Sequence, residues 1–164
     1  MTNQPQLLAL LIAACGTLLA ADAPKDKPEE KFEISRVEKE VFDLTNAERA
    51  KESLPALKPH PLLFQAARDH SKNMAKQGKL EHELDGVKPH ERTKKVGYKS
   101  PWIGENIAAG EAFFPKEVVK TWMDSKGHRE NILNKDYVYI GIGAVRAANG
   151  EYYYTQVFGR APKP

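Results

Sequence analysis

Two histidines and one glutamate are the best candidates for chemistry in this sequence. His128 stands in Gly127-His128-Arg129-Glu130-Asn131-Ile132-Leu133, where the glycine is expected to end one helix and a second short helix to open. His82 closes Leu80-Glu81-His82, and Glu105 lies in Gly104-Glu105-Asn106-Ile107. Two neutral imidazoles and a carboxylate form a catalytic zinc set that leaves one position open for water. Without thiolates, such a site would select poorly among divalent ions. The same residues also suit acid–base work, with the carboxylate orienting an imidazole and raising its basicity towards neutral pH. A structural alternative is a hydrogen-bonded polar cluster lining a cleft, with Glu105 tying its own segment to the start of the His128 helix. The separations along the chain are not in themselves a metal signature.

No nucleophile accompanies these groups. Ser71 and Ser125 lie in no activating context, Gly-x-Ser-x-Gly is absent, and the sole cysteine is Cys15. His82-Glu83-Leu84-Asp85-Gly86 begins as a zincin helix does, but has glycine where the second histidine is required. Gly141-Ile142-Gly143 lacks a third glycine and a following helix. It reads as glycines against which another backbone packs closely, not as a dinucleotide loop. Glu130, two residues from His128, should point away from it and engage the helix N-terminus or Arg129. Tyr152-Tyr153-Tyr154, Trp102 and Phe158 read as core and sheet surface.

The elements that must position the site follow from periodicity and caps. Ser35 and Glu38 form a capping box for a first helix whose inner face is Val37, Val41, Leu44 and Ala47, ended by Leu54-Pro55. Pro61 suits the first position of a second helix, with Leu63, Ala66, Ala67, His70 and Met74 as its stripe and Gly78 as its C-cap. On that stripe His70 is expected to be a hydrogen-bonded core residue. A short helix containing Glu91 and Arg92 is expected within residues 86–97, a strand over 105–109, and a helix from Pro115 with Val118, Val119, Trp122 and Met123 inward. Residues 137–145 and 152–158 alternate as strands around Asn149-Gly150, a signal for a type I′ hairpin turn. Helices first and antiparallel strands later imply an α+β layered fold.

Composition narrows the function classes. At 164 residues the chain suits one domain with a single core. Twenty-five Lys+Arg against 22 Asp+Glu give a net charge of +3, with the signs interspersed, which argues against nucleic acid as a partner. Residues 1–21 read as an export signal around the apolar run from Leu7 to Ala14. Ordinary cleavage near Ala20 or Ala21 is the preferred route. Ile12-Ala13-Ala14-Cys15 resembles a lipobox and makes a lipid anchor on Cys15 the alternative. Residues 22–33 read as a flexible linker, and residues 34–160 as the domain. With one cysteine, and that one in the signal, the domain holds no internal disulfide.

Several motifs taken in order resemble one family. Asn46-Ala47-Glu48-Arg49, Leu80-Glu81-His82, Gly104-Glu105-Asn106-Ile107-Ala108, the run from Trp122 to Leu133, and Tyr154-Thr155-Gln156-Val157-Phe158-Gly159 together resemble the CAP superfamily. This SCP-like group takes in cysteine-rich secretory proteins, antigen 5 and pathogenesis-related proteins, and the chain resembles its bacterial disulfide-free branch. The resemblance implies an α-β-α sandwich with a central antiparallel sheet. It also implies a cleft with two histidines and two acids that in some members bind zinc or another divalent cation. By motif those residues are His82, His128 and Glu105. The second acid is displaced, with Ser125 at its usual offset from Trp122 and Asp124 one residue earlier. The family spans lipid and sterol binding, action on proteins or cell-surface partners, and occasional peptide cleavage. The expected function is therefore an exported, extracytoplasmic binding module for a lipid, glycan, peptide or envelope component. The alternative is a divalent-metal-assisted hydrolase that uses His82, Glu105 and His128.

Overall fold

The structure, a computed structural model, describes residues 1, 32–111 and 114–161. The expected export signal, the Cys15 lipobox and nearly all of the expected linker lie outside the described residues. Among the described residues no helix is long and apolar enough to cross a membrane.

The chain runs α1 (Arg36–Lys51), β1 (Lys58–Pro59), α2 (Pro61–Gln77), α3 (Pro89–Lys95), β2 (Ile103–Glu111), α4 (Pro115–Asp124), α5 (Lys126–Ile132), β3 (Tyr139–Arg146) and β4 (Glu151–Gly159). The sheet order is β1-β3-β4-β2. β4 pairs antiparallel with both β3 and β2, while the two-residue β1 adds a parallel pairing to β3 that the sequence did not signal. β2 is an edge strand. It is longer than the expected 105–109 because its full length pairs with β4, from Ile103↔Gly159 to Glu111↔Glu151.

The strand period of two divides the sheet into faces. Ile140, Ile142, Tyr154, Phe158 and Ala108 join α1 and α4 in one core around Val41, Val118, Val119 and Trp122. On the other face, Val157 packs with Leu63 and Ala67 of α2, and Ile107 and Tyr153 pack with Met74 and Leu84. This is the α-β-α sandwich that the family resemblance implies, and the α+β layering that the order of elements implies. The close approach of α2 depends on the strand glycines. A Cβ on Gly141 would fall onto the backbone of Leu63 and Phe64, and one on Gly143 onto that of Ala67. Their expected role as packing glycines therefore holds.

Three local expectations need correction. The buried face of α1 is Glu38, Val41, Thr45 and Arg49, while Ala47 is exposed and Val37 and Leu44 only flank the core. Polar residues occupy that face because each has a partner. Arg68 donates to both Glu38 oxygens, Gln156 donates to Thr45, and Arg49 donates to the carbonyls of Pro55, Ile132 and Asn134. Gly127 does not end the long helix. α4 stops at Asp124, Ser125 is extended (φ −92°, ψ 125°), and Gly127 lies inside α5. The hairpin at Asn149-Gly150 is not type I′, because Gly150 (φ 94°) takes positive φ and Asn149 does not. The Ala147 carbonyl accepts from the Gly150 N–H at 3.0 Å, as in a type I turn closed by a left-handed glycine.

Candidate functional site

Glu105 is the centre of the site, and the pleat of β2 puts it there. Its neighbours on the same side, such as Ile107, face α2, whereas Asn106 faces the opposite layer. The Glu105 side chain is only 3% exposed, and both of its oxygens are committed. Oε2 accepts from Arg92 Nη2 at 2.6 Å, and Oε1 lies 2.9 Å from His82 Nδ1.

Arg92 reaches this position from α3, which starts with Pro89 at its first turn and with the Lys88 N–H donating to Glu91 Oε2 at 2.7 Å. Its Nη1 also donates to the carbonyls of His82 and Val87, both at 2.9 Å. One guanidinium thus fastens the loop that carries His82 to the edge strand. Sequence reasoning placed Arg92 on a short helix and gave it no role. An isolated arginine in a charged run carries no signal of the carboxylate it will meet.

His82 lies beyond Gly78, whose left-handed conformation (φ 63°) ends α2. Its side chain is about half exposed, at 51%. A carboxylate oxygen accepts, so Nδ1 donates to Glu105 and Nε2 remains as the second polar atom of the ring. His70, expected as a core residue, is one: its Nε2 donates to the Glu81 carbonyl at 2.9 Å, and its Nδ1 has no partner among the described residues. Burial pushes its pKa down to about 4, outweighing the Glu105 charge that pulls upward. His70 Nε2 also lies 3.9 Å from Glu105 Oε1, so this neutral ring borders the site.

His128 stands apart. It belongs to α5 and is partly buried, and its Nδ1 has no partner among the described residues. Burial first, and then the His82 charge, hold its pKa below the usual imidazole value. The structure therefore joins His82 to Glu105 directly. Among the described residues it gives His128 no side-chain hydrogen bond to either. The three residues do not form a ready metal group, and among the described residues no set of three His, Cys, Asp or Glu side chains is arranged to hold an ion. The physical reason lies in the donor set, because a permanently charged guanidinium already occupies Oε2 of the only carboxylate in the cluster. Asp124 does not repair this. It is exposed and pairs with Lys120 at 2.5 Å.

The tie between β2 and α5 is made by amides, not by the Glu105 carboxylate. Asn106 Nδ2 donates to the His128 carbonyl and to Gln156 Oε1, each at 3.1 Å. Asn131 Nδ2 donates to Asn106 Oδ1 at 2.9 Å and to the Glu105 carbonyl at 3.2 Å. Gln156 Nε2 continues the chain to Thr45 Oγ1 at 2.6 Å. The partners expected for Glu130 are the helix N-terminus or Arg129; its ion pair among the described residues is with Lys126, the first residue of α5, at 3.6 Å. An open groove of about 620 Å³ runs along this edge, lined by His82, Glu83, Lys88, Pro89, His90, Pro101, Ile103, Gly104 and Glu105.

The order of these motifs and this geometry agree with a family match. The model of the cysteine-rich secretory protein (CAP) family covers residues 42–158. The chain belongs to the CAP family. It is similar to the uncharacterized protein YkwD of Bacillus subtilis (strain 168), 40% identical over 117 residues, which is 71% of this chain and 45% of that protein. The chain spans less than half the length of the curated relatives it matches. Among solved structures, an extracellular SCP-domain protein from Bacillus anthracis str. Ames is 30% identical with a TM-score of 0.67, over 75% of this chain and 40% of that one. An outer surface protein from Borrelia burgdorferi shares the fold at 22% identity and a TM-score of 0.72, over 79% of this chain and 96% of that one. Two more distant CAP folds have been solved with metal, NaASP2 with Zn2+ and manganese-bound Ac-ASP-7.

Proposed function

We propose that this CAP domain is an exported binding module whose groove beside β2 holds a cell-envelope component bearing acidic groups. One observation carries this reading: both oxygens of Glu105 are committed within the protein, Oε2 to Arg92 and Oε1 to His82. A carboxylate that acts as general base needs an oxygen free for the reacting water, and one that holds a metal needs an oxygen free for the ion. Here that carboxylate orients an arginine and a histidine. Ser71 supplies no nucleophile either, since it is buried and hydrogen-bonded to Thr155 and to the Gly143 carbonyl. What lines the groove is recognition chemistry: the imidazoles of His82 and His90, the ammonium of Lys88, the carboxylate of Glu83, and the apolar Ile103 and Pro101.

The test titrates the full chain with four probes: a poly(glycerol phosphate) oligomer, a neutral chitooligosaccharide, phosphatidylglycerol vesicles and an acidic peptide. Calorimetry and thermal stability report binding, and the same samples are analysed for cleavage products. Saturable binding of an acidic probe that raises the melting temperature, weakened in Lys88→Ala/His90→Ala and without cleavage, supports the reading. Cleavage of any probe that is lost in a folded Glu105→Gln variant would replace it with hydrolysis.

A further inference from the structure

We propose that Arg92 is the resident cation of this site: it occupies the Glu105 oxygen that a divalent ion would need, and so sets how weakly the domain holds such ions. The inference shares with the binding function proposed above the contact of Arg92 with Glu105, and zinc affinity tests it separately from the binding of any envelope probe.

Three observations support it. Arg92 Nη2 lies 2.6 Å from Glu105 Oε2, a charge-assisted contact between side chains that are only 12% and 3% exposed. The guanidinium is held in place, because Nη1 also donates to the carbonyls of His82 and Val87 at 2.9 Å. Swinging it aside would break both contacts, the one to the Val87 carbonyl in a partly buried setting. Finally, a guanidinium is a fixed positive charge in proteins, unlike an ammonium or an imidazole that can give up its proton. An incoming ion would have to displace a fixed positive charge or bind a few ångströms from it.

The remaining donors are suited to an ion. His82 has Nε2 as its second polar atom, and Glu105 Oε1 already orients that ring through Nδ1, as an outer-shell carboxylate does for a metal-bound histidine. Removing the guanidinium charge alone would free Oε2 of a carboxylate whose other oxygen already meets the imidazole of His82. The domain therefore carries a latent metal site, masked by one side chain.

The experiment is zinc titration by calorimetry, with melting temperatures, of the chelator-stripped full chain and its Arg92→Gln and Arg92→Lys variants. Arg92→Gln is expected to bind zinc at least about tenfold more tightly than the parent, the scale on which outer-shell partners tune metal affinity. Adding His82→Ala should remove that gain, and Arg92→Lys, which keeps the charge, should stay near the parent. If Arg92→Gln is poorly stable, zinc should restore its melting temperature, since the ion then takes the place of the guanidinium. An Arg92→Gln protein that zinc neither binds more tightly than the parent nor stabilises overturns the proposal. So does micromolar binding by the parent that His82→Ala abolishes.

Discussion

Arg92 and Glu105, 13 residues apart in the chain, meet through Nη2 and Oε2 at 2.6 Å. They come from different elements, a short helix and an edge strand, and their contact closes the loop that carries His82. The pair is partly a scaffold, because the same guanidinium holds two loop carbonyls. It is also the electrostatic ground state of the site. The negative charge that the two histidines could have shared with an ion is already balanced.

Glu105→Gln should therefore be destabilising whether or not metal is present. The variant keeps a hydrogen-bond acceptor but leaves a largely buried guanidinium without a counter-charge, which costs about 3 kcal/mol. Urea denaturation of parent and variant, each with and without chelator, measures it. Equal midpoints would show that the pair contributes nothing to the fold.

The strand glycines give a sharper contrast. Gly143→Ala places a Cβ onto the Ala67 backbone, which no side-chain rearrangement relieves, and is expected to cost about 3 kcal/mol or to prevent folding. Gly127→Ala meets no atom within 4 Å and lies inside α5, so it should stabilise by up to about 1 kcal/mol. Thermal melts of the two variants should move in opposite directions.

That contrast shows what the sequence made legible. Patterns fixed by the backbone were readable: the Ser35 capping box, the Gly78 left-handed cap, the Leu63 to Met74 stripe and the packing glycines of β3. Family motifs pointed to His82, Glu105 and His128. Long-range polar partners were not readable. Nothing local tells Arg49 that it will reach the carbonyls of Ile132 and Asn134, or Thr45 that Gln156 lies 111 residues away, so hydrophobicity finds Val41 on the inner face of α1 but misses its polar members. Arg92 was overlooked for the same reason. Gly127 misled because a glycine after a helix reads as a cap, whereas the break is set by the extended backbone of Ser125.

The amide chain should be as sensitive as an apolar core. Asn106 is fully buried and joins His128, Asn131 and Gln156. Asn106→Ala strands the Gln156 Oε1 and the His128 carbonyl without their donor, at about 2–3 kcal/mol. It should also loosen the α5 start, seen as faster amide exchange in residues 126–132 with little change in α2. Uniform acceleration across both helices would mean that the network is not local to the site.

His70 predicts an acid-side loss of stability with a defined sign. Its folded pKa is about 4, well below the ordinary 6.5, because burial penalises the charged ring. Between those values the unfolded chain holds a proton at this position and the folded chain does not, so stability rises with pH there. The contribution is complete above about pH 6.5 and is lost as pH falls towards 4, amounting to about 3 kcal/mol over the window. The groups acting on the ring are Glu105, which opposes the shift, and Arg92 and His82, which add to it. Glu38, whose pKa is also lowered, destabilises in the same direction on acidification, so the parent alone does not isolate His70. His70→Gln retains a donor for the Glu81 carbonyl and removes the titration. Unfolding free energies of parent and variant should converge from pH 7 to pH 4. A constant difference across that range would show that His70 is not held neutral by the fold.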